Sequence, residues 1–273
     1  MAAISIDGTT LRLPIEVRKA RNWVANYMVP AAPARPLLAP TGLTLAEPRP
    51  GKALLTLGFV EYEDSDLGPY HEFMVTLLVR LHGAPPATAR RRAAEVRKSR
   101  VGVYIHRLPV DSKFSLDAGR TIWGYPKTLA SFERTRDGLG TTWVLRREGE
   151  PMVRMRFSAP WFPMPRPPAP PTYTILDGTV RMTPWETRSK DVKGRPGGVR
   201  LTLGTGALAD ELRSLGLPKR ALLSMRVGHL RARFFAAQPI GGGPASVSSG
   251  SPAGEPPVEQ PGQKESADAR ENT

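Results

Sequence analysis

Alternation of apolar and polar residues predicts β-strands through the middle of the chain. Residues 53–62 and 72–82 are rich in β-branched and aromatic side chains, and along the second the apolar positions alternate from Phe73 to Leu81. The positions between them, such as Met74, are largely apolar as well. A strand that is apolar on both faces is expected to be covered on both, as in a closed barrel with outer helices.

Two further segments are predicted to be hairpins. Residues 143–157 alternate apolar and charged side chains on either side of Gly149, which we expect to lie in the turn. In residues 172–182 the pair Asp177 and Gly178 is typical of a two-residue turn. Hairpin strands run in opposite directions, so the sequence predicts a mainly antiparallel sheet.

Helices are predicted in only two places. Leucines recur at helical spacing in residues 207–215, and a second helix is expected over residues 115–123 before Gly124. Because the backbone around Pro126 disfavours helix, we expect Lys127 to follow in extended conformation.

The chain is predicted to be one folded domain, residues 1–240, followed by a tail, residues 241–273. The tail has no aromatic residue and is dominated by Gly, Pro, Ser and Glu. It buries too little apolar surface to offset the entropy of ordering, so we expect it to be disordered. Within the domain, the proline-dense residues 160–171 are expected to follow the surface without regular structure.

The folded part is strongly basic. The chain has a formal net charge of +14, and residues 244–273 hold two basic and five acidic side chains, which leaves +17 for the rest. Such a surface either steers small anions or holds a nucleic-acid backbone. The densest basic run, residues 89–100, is interpreted either as an exposed excursion or as an anion or RNA patch, and no aromatic and basic RNA-binding signature accompanies it. We therefore expect small acids as partners rather than nucleic acid.

Composition excludes several kinds of site. A chain without cysteine has no disulfide, thiolate metal ligand or cysteine nucleophile. The four histidines lack paired metal-ligand spacing, so no metal is expected. The N-terminus lacks the pattern of a signal peptide, and no apolar run approaches the roughly 20 residues that cross a bilayer. The sequence predicts a cytoplasmic protein without a membrane partner.

The strongest candidate for chemistry is Lys127, in the segment AGRTIWGYPKTLASF of residues 118–132. Apolar residues flank it on both sides, and removal of an amine from water penalises its charged form and lowers its pKa. A free lysine has a pKa near 10.4, so at neutral pH about one molecule in a few thousand is unprotonated. The neutral amine can attack a ketone, whereas the ammonium cannot.

This segment and GPYHE at residues 68–72 resemble the acetoacetate decarboxylase family, whose reactive lysine lies in a Gly-Arg-containing segment that ends in Tyr-Pro-Lys-Lys. The matching residues are Gly119, Arg120, Tyr125, Pro126 and Lys127, with Gly68, Tyr70 and Glu72. The resemblance implies an α+β fold, mostly antiparallel, with a cone-like closed barrel and a few peripheral helices. It further implies a homo-oligomer that needs no cofactor.

The resemblance also implies a decarboxylase of a β-keto acid such as acetoacetate, in which Lys127 forms a Schiff base and Glu72 moves protons. An ionised Glu72 beside Lys127 would favour the ammonium, so we expect Glu72 to be protonated or several ångströms away.

Two departures from the family pattern leave the reaction open. Thr128 stands where the family usually has a second lysine, and Leu57 stands near the position of a second pocket carboxylate. They favour an alternative, a Schiff-base aldolase or dehydratase acting on a 2-oxo acid. A further alternative is a noncatalytic barrel that binds small acids or RNA through its basic surface.

The remaining candidates would bind substrate. Arg120 is expected to organise Glu72 or a substrate carboxylate, or else to anchor the short helix by a salt bridge. Arg18 and Arg21 are both candidates for an arginine that the family places near its pocket. Three aromatic residues are expected to line the pocket or simply to pack: Tyr70, Trp123 and Tyr125.

Overall fold

The computed structural model describes residues 3–81, 101–159 and 161–240, which form a strand-rich fold. The strands are β1 Ala3–Ile6, β2 Thr9–Arg12, β3 Ile15–Pro30, β4 Leu43–Leu45, β5 Lys52–Ser65, β6 Tyr70–Leu81, β7 Val101–Val110, β8 Lys127–Leu129, β9 Ser131–Asp137, β10 Gly140–Arg147, β11 Glu150–Ser158, β12 Phe162–Pro163, β13 Thr172–Leu176, β14 Thr179–Thr183, β15 Trp185–Arg195, β16 Val199–Leu203, β17 Leu223–Phe234 and β18 Gln238–Pro239. The helices of these described residues are α1 Ala31–Ala34, a 3₁₀ helix Arg35–Thr41, α2 Lys113–Trp123 and α3 Ala207–Ser214.

The strands form one large and two small sheets. The large sheet has the order β12-β15-β17-β3-β5-β6-β7-β13-β14-β18, with β4 also paired to β6 and β8 to β7. A four-stranded sheet has the order β16-β11-β10-β9, and β1 pairs with β2. The predicted antiparallel pairing is confirmed, apart from the parallel contacts of β7 with β8 and β13. In the described residues the outermost strands of the large sheet do not pair with each other, so closure into a barrel stays a prediction.

The large sheet separates two hydrophobic cores. On one face, Phe59 and Phe73 are buried together with Trp143 of the four-stranded sheet, and the rings of Phe59 and Trp143 stack at 5.1 Å. On the other face, Tyr70 is buried with Ile122 of α2 in a second cluster. The prediction that β6 is covered on both faces is confirmed.

Both predicted hairpins are present. Glu148 and Gly149 form the turn between β10 and β11, with φ of +52° and +85°. Asp177 and Gly178 form the turn between β13 and β14, with φ of +50° and +70°. Two consecutive left-handed residues match the right-handed twist of the paired strands, which is why such turns suit short hairpins.

Both predicted helices are also present. α2 begins after Ser112, whose side chain accepts a hydrogen bond from the amide of Ser115 at 3.2 Å, and it ends at Gly124. α3 is followed by Gly216, which has a φ of +66°. α2 starts two positions earlier than predicted because the side chain of Ser112 caps it there.

Several sequence expectations remain outside what the structure tests. The basic run at 89–100 and the tail at 241–273 lie outside the described residues. The expectation of no regular structure in the proline-dense segment is wrong for Phe162 and Pro163, which pair with β15, and is confirmed for residues 164–171. No helix among the described residues is long and apolar enough to cross a membrane. The cytoplasmic location and the homo-oligomer stay predictions.

Glu211 ties α3 to β7. Its Oε1 lies 2.7 Å from Nε2 of His106, and its Oε2 accepts a hydrogen bond from Nη2 of Arg107 at 2.5 Å. Burial on its own raises the pKa of Glu211, but the hydrogen bonds from His106 and Arg107 outweigh it and lower the pKa to about 2. The ionised carboxylate is therefore the form that holds the helix.

Replacing Glu211 by Gln is expected to lower the free energy of unfolding at pH 7 by about 1–3 kcal/mol, the range for losing charge-assisted hydrogen bonds. Because the folded pKa lies below that of an unfolded glutamate, this contribution is present above about pH 4.3 and is lost as the pH falls towards 2. Urea unfolding at pH 7 and pH 3 measures it, with Asp210→Asn, at an exposed neighbour, as the control. An equal loss of unfolding free energy in Glu211→Gln and Asp210→Asn would contradict this account. So would a loss in Glu211→Gln that is no smaller at pH 3 than at pH 7.

Candidate active site

The loop after α2 turns Lys127 back towards the helix. Gly124 ends α2 with a φ of +67°, and its amide donates to the carbonyl of Arg120. Lys127 then begins β8, which pairs with Leu108–Val110 of β7. The predicted extended conformation is confirmed, and the lysine is only 2% exposed.

Gly119 and Arg120 fix the position of Lys127 from the helix side. A Cβ added at Gly119 would lie 2.6 Å from Cδ and 2.7 Å from Cε of Lys127, so a side chain there would force Lys127 to move. Arg120 donates to the main-chain oxygen of Lys127 from Nε at 2.9 Å and from Nη2 at 2.5 Å. The guanidinium therefore braces the backbone at Lys127. Neither the expected contact with Glu72 nor a salt bridge to the helix is formed by Arg120 within the described residues.

The amine of Lys127 meets two polar groups. Nζ donates to Oγ of Ser115 at 2.7 Å and lies 3.2 Å from Oε2 of Glu72. The ring of Tyr70 covers the amine, with Nζ 4.8 Å from the ring centroid. Ser115 is fully buried, and the side chain of Glu72 is 9% exposed. The structure thus brings Lys127, Glu72 and Tyr70 together at a site with little access to bulk water.

The second oxygen of Glu72 is held by Tyr62. The hydroxyl of Tyr62 donates to Oε1 of Glu72 at 3.2 Å, and the rings of Tyr62 and Tyr70 stack at 4.3 Å. Burial raises the pKa of both phenols well above its usual value, and the nearby charge of Glu72 raises it further. Both hydroxyls therefore stay protonated at neutral pH and can donate hydrogen bonds.

Burial lowers the pKa of Lys127, although the charge and hydrogen bond of Glu72 act in the opposite direction. The sequence led us to expect that Glu72 is either protonated or several ångströms from the amine. The separation of 3.2 Å shows that the second alternative is wrong and leaves the first. An amine beside a carboxylic acid holds the same single proton as an ammonium beside a carboxylate, and it avoids the desolvation of two charges. In this uncharged form of the pair, the nitrogen keeps the lone pair that a reactive amine needs.

Arg18 and Arg21 form ion pairs with carboxylates outside this site. Arg18 pairs with two neighbouring aspartates, the nearer at 2.5 Å, and Nε of Arg21 lies 2.8 Å from Glu63. The structure does not bring either arginine to Lys127. The pairing of β3 with β5 shifts register between residues 17 and 20, next to both arginines.

Both departures from the family pattern face away from the amine. Leu57 is fully buried in the core on the far face of the sheet, and Val60 is the residue of β5 that stands opposite Glu72. Thr128 is exposed, because neighbouring side chains of a strand point in opposite directions and Lys127 is buried. Neither Leu57 nor Thr128 therefore sets the surroundings of Nζ directly.

Trp123 and Tyr125 attach the lysine loop to the rest of the fold. The hydroxyl of Tyr125 lies 3.1 Å from Oγ1 of Thr172, and Nε1 of Trp123 donates to the carbonyl of Phe235 at 2.8 Å. Their rings stack on each other at 5.3 Å. These contacts support the packing alternative that the sequence left open for the two residues.

Two residues of the site, Ser115 and Tyr62, were not predicted from the sequence. Ser115 lies four residues before Gly119, so the helical spacing alone places both on one face of α2. Tyr62 is the register partner of Tyr70 in the pairing of β5 with β6. The helical relation could have been found in the sequence, whereas the strand register could not.

His71 is adjacent to Glu72 in the chain but belongs to a different cluster. Its Nδ1 lies 2.7 Å from Oδ2 of Asp111, and its ring contacts Phe132 and Trp143. Alternation along β6 places His71 and Glu72 on opposite faces. His71 therefore interacts with Asp111, and Glu72 interacts with Lys127.

The comparisons with known proteins agree with the lysine motif. A family model described as acetoacetate decarboxylase (ADC) matches residues 9–233. The chain belongs to the acetoacetate decarboxylase family. The resemblance inferred from the motifs is thereby confirmed, and the match includes the lysine loop as well as the strand that carries Glu72. A search of curated protein sequences returned no match.

Solved structures share the fold of this ADC family member at low sequence identity. An acetoacetate decarboxylase from Legionella pneumophila gives a TM-score of 0.63 at 17% identity, over 84% of this chain and 87% of that chain. The enduracididine biosynthesis enzyme MppR, complexed with the condensation product of pyruvate and imidazole 4-carboxaldehyde, gives 0.62 at 15%, over 84% and 90%. An acetoacetate decarboxylase-like enzyme from Sphingomonas wittichii RW1 gives 0.60 at 15%, over 87% and 98%.

Replacing Gly119 by Ala is expected to displace Lys127, because the added methyl group would overlap Cδ and Cε. As Nζ moves towards water, the pH midpoint at which the amine becomes reactive should rise by about one unit or more. Acylation of Lys127 over a pH series, located by peptide mass spectrometry, measures this midpoint. Gly138→Ala is the matched control, since a Cβ there meets nothing within 4 Å. An unchanged midpoint in Gly119→Ala would show that the helix does not restrain the lysine.

Proposed function

We propose that this protein is a cofactor-independent lyase that forms a Schiff base between Lys127 and a keto acid, and most simply decarboxylates a β-keto acid such as acetoacetate. The observation that supports the proposal most directly is the environment of the Lys127 amine. Nζ is removed from water, and its pKa is lowered even though a carboxylate oxygen lies 3.2 Å away. Membership of the ADC family supports the same conclusion.

Lys127 and Glu72 together hold one proton, which is the number that Schiff-base formation consumes. When Nζ bonds to the carbonyl carbon, the π electrons of the C=O bond move to oxygen, and oxygen takes the proton of Glu72. Glu72 then removes a proton from nitrogen and returns it to the hydroxyl, which leaves as water when the C–O bond breaks. The products are an iminium and a Glu72 carboxylate, so the pair begins and ends without net charge.

The iminium is an electron sink for the next step. If the carboxylate of the substrate is attached to the carbon next to the iminium carbon, the bond between that carbon and the carboxylate breaks and carbon dioxide leaves. The bonding electrons form an enamine, and its nitrogen becomes neutral. The enamine carbon then takes a proton from water through Glu72, and hydrolysis releases the ketone and Lys127. The hydrogen bond from Tyr62 holds Glu72 in place for these transfers.

A second candidate, an aldolase or dehydratase acting on a 2-oxo acid, is favoured by one comparison. MppR, which shares this fold, is complexed with a condensation product of pyruvate. The same iminium supports condensation, aldol cleavage or dehydration when a different bond is aligned. Carbon dioxide release from acetoacetate supports the first candidate, and carbonyl products without gas support the second. Binding of small acids or RNA without turnover, unchanged in Lys127→Met, would support a noncatalytic protein.

Borohydride added with acetoacetate or pyruvate is expected to increase the mass of Lys127 irreversibly, because it reduces the iminium to a secondary amine. The Lys127→Met variant should form no adduct, and its turnover should be lower by about a thousandfold or more. Lys113→Met, at an exposed lysine of α2, is the control and should keep both. No adduct with either acid, or an adduct on another lysine, would overturn the Schiff-base proposal.

The pH dependence of the amine gives an independent test of the role of Glu72. Because Glu72 raises the pKa of Lys127 and burial lowers it, Glu72→Gln removes only the raising influence. The acylation midpoint of Lys127 should therefore move to lower pH, by about one unit or more, while turnover falls by about a hundredfold or more with the loss of the proton carrier. Peptide mass spectrometry and steady-state rates measure the two effects. An upward shift of the midpoint would contradict the assignment.

A further inference from the structure

Ser115 contacts the reacting nitrogen without taking part in the proton transfers described above. Its Oγ accepts a hydrogen bond from Nζ of Lys127 at 2.7 Å, and the residue is fully buried in the first turn of α2. We propose that Ser115 is a positioning residue that holds Nζ in place while Glu72 passes its proton to the substrate oxygen and back. The proposal rests on the Schiff-base function proposed for Lys127.

A second partner is needed because the contact between Nζ and Glu72 changes during the reaction. Glu72 must turn its proton to the substrate oxygen, take another from nitrogen and end as a carboxylate, so its hydrogen bond to Nζ is broken and remade. The hydroxyl of Ser115 is uncharged throughout. It can accept an N–H from the ammonium, the amine and the iminium in turn, and it is therefore a partner of the nitrogen at every stage.

The surroundings of Nζ restrict the amine to one place. A Cβ at Gly119 would lie 3.3 Å from Nζ, so the amine rests against α2 between the positions of Ser115 and Gly119, one helical turn apart. The ring of Tyr70 closes a further side at 4.8 Å. With one N–H held by Ser115, the remaining freedom of the amine is small, and its lone pair keeps a set direction. Such orientation of a nucleophile accounts for a large part of many enzymatic rate enhancements.

Ser112 offers a matched control within the same helix. Its side chain caps α2 by accepting from the amide of Ser115 at 3.2 Å, and no hydrogen bond joins it to Lys127 within the described residues. Ser112→Ala and Ser115→Ala each remove one hydroxyl group, and each weakens α2 or its contacts. Only removal of the Ser115 hydroxyl takes a partner from Nζ.

The test compares Ser115→Ala with Ser112→Ala and Ser115→Thr. Because an acceptor stabilises the ammonium more than the amine, Ser115→Ala should move the acylation midpoint of Lys127 to lower pH by about half a unit to one unit. With acetoacetate, kcat should fall about 10–100-fold while KM changes less than about threefold. Ser115→Thr, which restores the hydroxyl, should recover most of kcat. Ser112→Ala should lower the melting temperature but leave the midpoint and kcat unchanged.

The proposal is overturned if Ser115→Ala keeps the midpoint and kcat of the unaltered protein, or if Ser112→Ala produces the same changes. A loss that appears only in KM also overturns it. If Ser115→Ala does not fold, Ser115→Cys keeps the size of the side chain with a weak acceptor and gives the same comparison. The acylation midpoint needs no substrate. A protein that forms no adduct with keto acids would therefore refute the Schiff-base function separately from the contact between Ser115 and Lys127.

Discussion

The contact between the amine of Lys127 and the carboxyl group of Glu72 is the interaction on which the site depends. In water the pair would be an ordinary ion pair worth very little. Buried at 3.2 Å, it becomes a pair whose charged form is penalised by desolvation, and the penalty falls on the lysine strongly enough to lower its pKa. The same contact therefore sets the surroundings of both the amine and the carboxyl group.

The lysine motif has a physical explanation in this fold. Gly119 lets the lysine side chain pass within contact distance of α2, and Arg120 holds the main-chain carbonyl of Lys127 with two hydrogen bonds. Tyr125 attaches the loop to β13 through Thr172. Each of these residues acts on the position of the lysine, so the role of the motif is to position Lys127. None of these three supplies a charged group to the amine.

Local features were predictable from the sequence because their causes are local. The turns at Gly149 and Gly178 follow from residues that tolerate left-handed backbone, and the helix end at Gly124 follows from the same preference. Placement of the arginines was not predictable, since shifts of register between residues 17 and 20 change which side chains share a face. The contact of Tyr62 with Glu72 likewise depends on how two strands align, which a single sequence does not encode locally.

The back-to-back arrangement of His71 and Glu72 on β6 has an evolutionary consequence. One residue serves the polar cluster around Asp111 and the next serves the buried lysine, while their neighbours fill two separate cores. A slip of one position in this strand would put His71 or Phe73 in the place of Glu72 and turn every core side chain to the wrong side. Selection should therefore remove insertions and deletions of single residues from this strand, whereas point substitutions leave the contact between Glu72 and Lys127 in register.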